Sequence, residues 1–148
     1  MQIKPILHNK KDYLDLLLLA DEQEDMIDRY LDRGEMFALS HQGEVVCICV
    51  VTREDDGVYE IKNIATHPDH QRKGYGRCMI QFVLSHYKQD GKILLVGTGD
   101  SPLTIPFYER CGFSMSHRVK DFFTQNYDHP IYEDGVLLRD MIYLKREF

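Results

Sequence analysis
The sequence predicts an α/β (α+β) domain, a mixed and mostly antiparallel sheet flanked by helices in the order βααβββαβαββ. Three observations carry this. Apolar residues recur every second position in some segments and every third or fourth in others, so strands and helices are both present. Short turn signals, Gln42-Gly43 and Asp55-Asp56-Gly57, join three successive strand-like runs, as antiparallel hairpins require. The second half then alternates strand with helix, which puts helices on the faces of the sheet.

Each element has its own warrant. Residues 1–7 alternate well enough for a first strand, and Asn9 is a candidate cap for a helix over 9–20 with Leu14, Leu17 and Leu18 on one face. A second helix is expected over 21–33. Its first turn is acidic (Asp21, Glu22, Glu24, Asp25), as the helix dipole favours, and Gly34 is its candidate stop. Strands over 36–40, 44–52 and 58–66 follow. A helix over 74–89 carries Met79, Ile80, Val83, Leu84 and Tyr87 at helical spacing and closes at Gly91. A strand over 92–97 precedes a short helix over 101–111, which Ser101-Pro102 opens and Gly112 closes. Strands over 113–122 and 136–145 complete the order, with a polar loop between them. No repeat or linker-like tract interrupts the 148 residues, so they are read as one domain, 1–148.

Composition excludes several classes. At 43 % hydrophobic and 28 % charged residues the chain is an ordinary globular one, large enough to bury a core without disulfides or metals. No apolar run approaches the ~20 residues that span a bilayer. The run at 16–20 follows Asp12 and Asp15, which spoils it as a leader, so neither membrane nor export is expected and the cytoplasm is the default. A net charge of −6 argues against nucleic acid as a partner. Its distribution says more. Residues 1–69 hold 15 acids and 7 bases, whereas 70–89 hold four bases (Arg72, Lys73, Arg77, Lys88) and no acid. Such an island suits one compact anion. Cys47, Cys49, Cys78 and Cys111 form no C-x-x-C unit, and His67 and His70 merely flank Pro68-Asp69, so reduced buried thiols and an exposed loop are expected, with no metal.

The strand over 58–66 is irregular. Ile61 and Ile64 stand three apart, so a regular pleat cannot turn both toward one core, and Glu60 and Lys62 intervene. A β-bulge would resolve this, and bulges often re-aim side chains beside active sites. A partly exposed strand with a Glu60–Lys62 ion pair is the plainer alternative. The turn that follows, His70-Gln-Arg-Lys-Gly-Tyr-Gly-Arg77, opens a helix with two glycines. Backbone N–H groups can therefore crowd a ligand, while Lys73 and Arg77 sit at the positive helix end, an arrangement that an anion would relieve. A dinucleotide fingerprint needs glycine where Met79 stands, and a P-loop needs Gly-Lys-Ser/Thr; neither is present.

Gln71-Arg72-Lys73-Gly74-Tyr75-Gly76 resembles the Q/R-x-x-G-x-G/A pyrophosphate loop of the GNAT superfamily, the acetyl-CoA-dependent N-acetyltransferases. Asn63-Ile-Ala-Thr-His-Pro-Asp69 is similar to that family's pantetheine-binding strand, and Pro106-Phe-Tyr-Glu-Arg-Cys-Gly-Phe113 to its second signature. Over 58–113 the two signatures occur in the family's order. The resemblance implies a GNAT-like sheet and acetyl-CoA as co-substrate, without metal. It implies that the backbone of Ile64, Ala65 and Thr66 aligns the pantetheine and acetyl carbonyl. It further implies that Gln71, Arg72, Lys73, Gly74, Tyr75, Gly76 and Arg77 hold the pyrophosphate. Ser101 stands where many members carry a CoA-contacting asparagine. Glu60 falls where some members place a general base, and Tyr108 where the general acid stands.

The chemistry is demanding at one step only. An alkylamine near pKa ~10.4 faces a glutamate near ~4.3, about 8 kcal/mol of mismatch, so burial must raise Glu60 or a water must relay the proton. A tyrosine near ~10 protonating a thiolate near ~8.5 is uphill by only about 2 kcal/mol. The expected reaction is transfer of acetyl to a primary amine by direct attack; the alternative is a non-catalytic acyl-CoA-binding or sensing module. The acceptor is a small-molecule or peptide amine, with a cationic one favoured if Asp21 to Asp28 or Asp128, Glu133 and Asp134 face it. A monomer and a homodimer are equally compatible with the sequence.

Overall fold
In the computed structural model, which describes residues 1–148, the chain opens with strand β1 (Gln2–Ile6), a 3-10 turn at Lys10–Tyr13 and two short helices, α1 (Leu14–Ala20) and α2 (Glu24–Asp28). β2 (Glu35–His41), β3 (Glu44–Asp55) and β4 (Val58–Thr66) follow as an antiparallel meander, turned at Gln42-Gly43 and Gly57 through left-handed backbone. Helix α3 (Tyr75–His86) crosses over to β5 (Ile93–Gly99), which pairs with β4 in parallel. Then come α4 (Ile105–Arg110), β6 (Ser114–Val119), α5 (Phe122–Asn126), a two-residue hairpin of β7 (Tyr132–Glu133) and β8 (Val136–Leu137), and β9 (Met141–Glu147). The main sheet has seven strands in the order β1-β2-β3-β4-β5-β9-β6, antiparallel except at β4/β5.

Alternation on the strands sorts the core into two layers. Phe37, Cys47, Cys49, Val51, Ile61, Leu94, Val96, Ile142 and Leu144 turn toward α3 and α4, where Met79, Ile80, Val83 and Tyr108 complete a 19-residue cluster. Met36, Ala38, Ile48, Val50 and Ala65 turn the other way, onto Leu16, Leu17, Ile27 and Tyr30 of the α1–α2 region. Cys47 and Cys49 share one face, as their spacing requires. A third, smaller cluster of Phe123, Ile131 and Leu138 lies under the segment between β6 and β9. No helix is long and apolar enough to cross a membrane.

Five local expectations are corrected. Asn9 does precede the first helical turn, but its backbone is left-handed (φ 55°) and its side chain caps nothing; its carbonyl accepts from Asp12 N at 2.9 Å instead. The second helix ends at Asp28 and the chain goes on in turns, Leu31 N donating to Ile27 O at 3.0 Å and Gly34 N to Tyr30 O at 2.9 Å, with Lys10 Nζ on the carbonyls of Leu31 and Gly34 at 2.8 and 2.7 Å. Gly34 is no left-handed stop; a Cβ there would lie 2.7 Å from Val50 Cγ1, so the position serves close packing against β3. The expected strand over 113–122 stops at Val119, because Asp121 turns left-handed (φ 57°) and starts α5. The last strand starts at Met141, not 136. Asp140 is turned aside to accept from Arg118 at 2.6 Å and from Asp121 N at 2.8 Å.

Candidate active site
The site begins with the bulge in β4. Val50 of β3 faces Asn63 while Val51 faces Ile61, so Lys62 is the extra residue. This lets Ile61 and Ile64 both reach the α3 side, while Asn63 turns to the α1–α2 side. β4 and β5 pair only from Val58/Ile93 to Ile61/Val96 and then part. Beyond that point the strands line a cavity of about 360 Å³, with residues 61–66 on one wall and 96–99 on the other.

Ile64, Ala65 and Thr66 line this cavity, as does Gln71, whose Nε2 donates to the Thr66 carbonyl at 3.2 Å. Just beyond, Arg72 (φ 63°) and Gly74 (φ 88°) coil the chain so that α3 starts abruptly. The first ladder bond of α3 runs from Cys78 N to Gly74 O at 3.0 Å, which leaves the amides of Tyr75, Gly76 and Arg77 outside it. Gly76 is closed in, since a Cβ there would meet Phe107 at 3.3 Å. Arg72, Lys73 and Arg77 are exposed and take part in none of the protein's ion pairs. Three backbone amides and three cations outside any ion pair thus lie together on the loop and first turn of α3, next to Gln71 in the cavity wall.

Tyr108 comes from α4, 7 % exposed among core residues, with its side chain in the cavity wall. Burial, with the nearby Cys49, Cys111 and Glu133, pushes its hydroxyl well above the ordinary phenol range, so it stays protonated. Glu60 lies below the point where the strands part and does not line the cavity. It does pair with Lys62, at 3.0 Å, but the strand is not exposed there: Glu60 is 6 % exposed and the Lys62 side chain 19 %. Burial raises the Glu60 carboxyl above the ordinary range against the pull of Lys62. Lys62 does line the cavity and also approaches Glu54 at 3.7 Å. Ser101 is 1 % exposed and outside the cavity lining; its hydroxyl accepts from Leu103 N at 3.1 Å and faces the Glu133 carboxylate.

The structure brings in residues that the sequence did not single out. Asn63 lines the cavity, and Phe123, Tyr127, Ile131, Tyr132 and Leu138 cover its other end. Asp21 joins the two sides: it accepts from Tyr30 Oη at 2.9 Å and from Tyr127 Oη at 2.5 Å, 106 residues away. The sequence had named Asp21 only as one of the carboxylates that could face a cationic acceptor; its place in the cavity, like that of the others, depends on long-range contacts. No three His, Cys, Asp or Glu side chains come together as metal ligands would.

Comparison with known proteins bears on this arrangement. The acetyltransferase (GNAT) domain family matches residues 32–115. The chain is 36 % identical over 132 residues to an uncharacterized N-acetyltransferase, YvbK, of Bacillus subtilis (strain 168), covering 88 % of this chain and 85 % of that protein. Its fold is similar to a GNAT family acetyltransferase from Elizabethkingia anophelis with acetyl-CoA bound. That pair has a TM-score of 0.94 and 35 % identity, over 99 % of this chain and 97 % of the other. It is also similar to a Bacillus subtilis acetyltransferase in complex with CoA, with a TM-score of 0.91 and 32 % identity over 99 % and 98 % of the two chains.

Proposed function
The chain belongs to the GNAT acetyltransferase family, and from that membership we propose that it moves acetyl from acetyl-CoA to a primary amine by direct attack in a ternary complex. Acetyl-CoA is the co-substrate of this acetyltransferase. One observation carries the reading of its site: β4 and β5 part beside a tyrosine hydroxyl that burial keeps protonated. The unpaired edge of β4 at residues 64–66 offers amides and carbonyls to an extended pantetheine arm, as an added strand would use them. Where that arm leaves the split, the amides of residues 75–77 and the side chains of Arg72, Lys73 and Arg77 meet the pyrophosphate. Gln71, bonded to the Thr66 carbonyl, ties the loop to the strand. Ser101, buried behind the wall, acts through Glu133 and the turn before α4.

The acid–base roles follow from protonation states. Tyr108 stands in the wall with a proton; the burial that weakens it as an acid also disfavours the charged thiolate, so the departing sulfur is the group that receives it. Glu60 is the base. Its raised affinity for protons narrows the gap to an alkylamine, and because it lies below the cavity a water carries the proton to it. The test is thioester consumption with a panel of primary amines, with mass spectrometry of the products. Acetylated amine with free CoA is the expected result. Tight CoA binding without consumption of acetyl-CoA by any amine would leave a binding module and overturn the proposal.

A further inference from the structure
The ladder between β3 and β4 holds two bulges, and each frees a charged residue. Lys62 is the extra residue of β4, between the pairs Val51/Ile61 and Val50/Asn63. Glu54 is the extra residue of β3, between Arg53/Tyr59 and Asp55/Val58. A bulge gives up ladder pairing and re-aims a side chain. Here the two released side chains meet: Lys62 Nζ lies 3.7 Å from Glu54 Oε1 and 3.0 Å from Glu60 Oε2. The other oxygen of Glu54 takes Arg33 Nη1 at 2.7 Å. Charge alternates along Arg33, Glu54, Lys62 and Glu60, and exposure falls inward, from 50 % of the Arg33 side chain to 8 % of that of Glu60.

The inner end of this chain bears on the chemistry. Glu60 is buried outside the cavity lining, whereas Lys62 belongs to the lining and touches it. A buried carboxylate deprived of its cation takes up a proton, and a protonated Glu60 cannot accept one from an amine. The charged groups that face Glu60 are Lys62 on its own strand, Glu54 on β3 and Arg33 from the segment before β2. Tyr143 faces it from β9; burial and the two carboxylates push that hydroxyl up to about 12, so it stays neutral. Of the two cations, only Lys62 is in contact with Glu60.

Resting on the reading of Glu60 as the base, we propose that Lys62 is a positioning residue for the transfer: its ammonium holds Glu60 in the charged, proton-accepting form, and the Glu54–Arg33 pair holds the ammonium. Removing Lys62 and removing the charge of Glu54 then act in opposite directions. Without Lys62 the carboxyl binds its proton more tightly. Without the Glu54 charge a repulsion goes, and the ammonium answers to Glu60 alone.

Two readouts on the whole protein test this. One is the acid limb of kcat/KM with butylamine and saturating acetyl-CoA; the other is the NMR titration of the Glu60 carboxyl, assigned by the signal lost in Glu60→Gln. Lys62→Met keeps the length of the side chain without its charge and should move both upward by at least about one pH unit. Lys62→Arg should bring both back toward the wild type, and Glu54→Gln should move both downward by about half a unit. CoA affinity reports an intact fold, and Glu54→Gln, at a more exposed position, decides if Lys62→Met does not fold. A Glu60 titration that stays in place in Lys62→Met, or fails to fall in Glu54→Gln, would overturn the proposal and leave the ion pairs a structural role. The base reading fails separately, if the limb survives in Glu60→Gln, if it stays while the titration moves, or if butylamine is not acetylated. The titration then decides alone whether Lys62 sets the charge of Glu60: movement upholds that hold and a fixed midpoint overturns it.

Discussion
Tyr108 lines the cavity and also packs in the main core, so its hydroxyl and its ring can be tested separately. Tyr108→Phe keeps the ring and removes the proton. We predict a fall in kcat of ~10²–10⁴-fold, the usual reach of general acid catalysis, with acetyl-CoA binding near normal. Wild-type kcat in that variant would mean that solvent protonates the sulfur. Glu60 carries a pH prediction whose sign follows from its burial. A base must be deprotonated to act, and burial raises this carboxyl above the ordinary glutamate range, so the acid limb of kcat/KM should lie above that range too. Glu60→Gln should abolish that limb, and its defect should shrink between about pH 8 and 10 as the amine loses its proton in solution. A pH–rate curve that the substitution leaves alone would reduce Glu60 to the partner of Lys62.

At the scale of elements, the loop into α3 sets cofactor affinity. Gly74 sits at φ 88° with open space where a Cβ would go, so the obstacle to a side chain is the backbone and not crowding. Gly74→Val should weaken CoA binding at least tenfold, about 1.4 kcal/mol, because a β-branched residue there pulls the amides of residues 75–77 off their common point. Calorimetry giving unchanged CoA affinity in a folded variant would sink this. Affinity should also fall as salt rises, since Arg72, Lys73 and Arg77 are exposed and screening acts on exposed charge; a flat titration contradicts their role. This stretch was legible from sequence because its information is local. Bulge, loop, helix and signatures lie on one continuous run from Val58 to Phe113, and the spacing of Ile61 and Ile64 pointed to a bulge, which the structure puts at Lys62. Beyond β6, which the sequence did show, the stretch from residue 120 to 140 was not legible. α5 has five residues and the β7–β8 hairpin two per strand, too few to show a period. Their ends are set by Asp121 and Asp140, which answer to each other and to Arg118. The acceptor end showed only as candidate carboxylates, Asp21 and Glu133 among them, because Asp21 and Tyr127 meet only in three dimensions.

For the molecule as a whole, the sheet and the cover over the cavity differ in how they are held. β2 to β4 are packed on both faces, whereas residues 122–138 rest on three buried apolar side chains and a few polar ties. Those ties run from Tyr127 to Asp21, from Asp128 N to Gln23 and from Arg29 to Asn126. We predict that amides over 122–138 exchange with solvent well before those of β3, and that Tyr127→Phe speeds them roughly tenfold, the loss of about 1.5 kcal/mol for a bond to a charged group. Identical exchange of cover and β3 in both proteins would make them one cooperative unit. The strand order has a further consequence, for how the protein is made. β9 is the last strand in sequence yet lies inside the sheet, between β5 and β6. Until residues 141–147 have left the ribosome, β5 and β6 each present an open edge, and Leu94, Val96 and Phe113 lack the Ile142 and Leu144 that finish their core. From the moment β6 is made until β9 follows, the nascent chain carries two unpaired edges, the state in which strands join the wrong neighbour, and the sheet closes only once β9 is available.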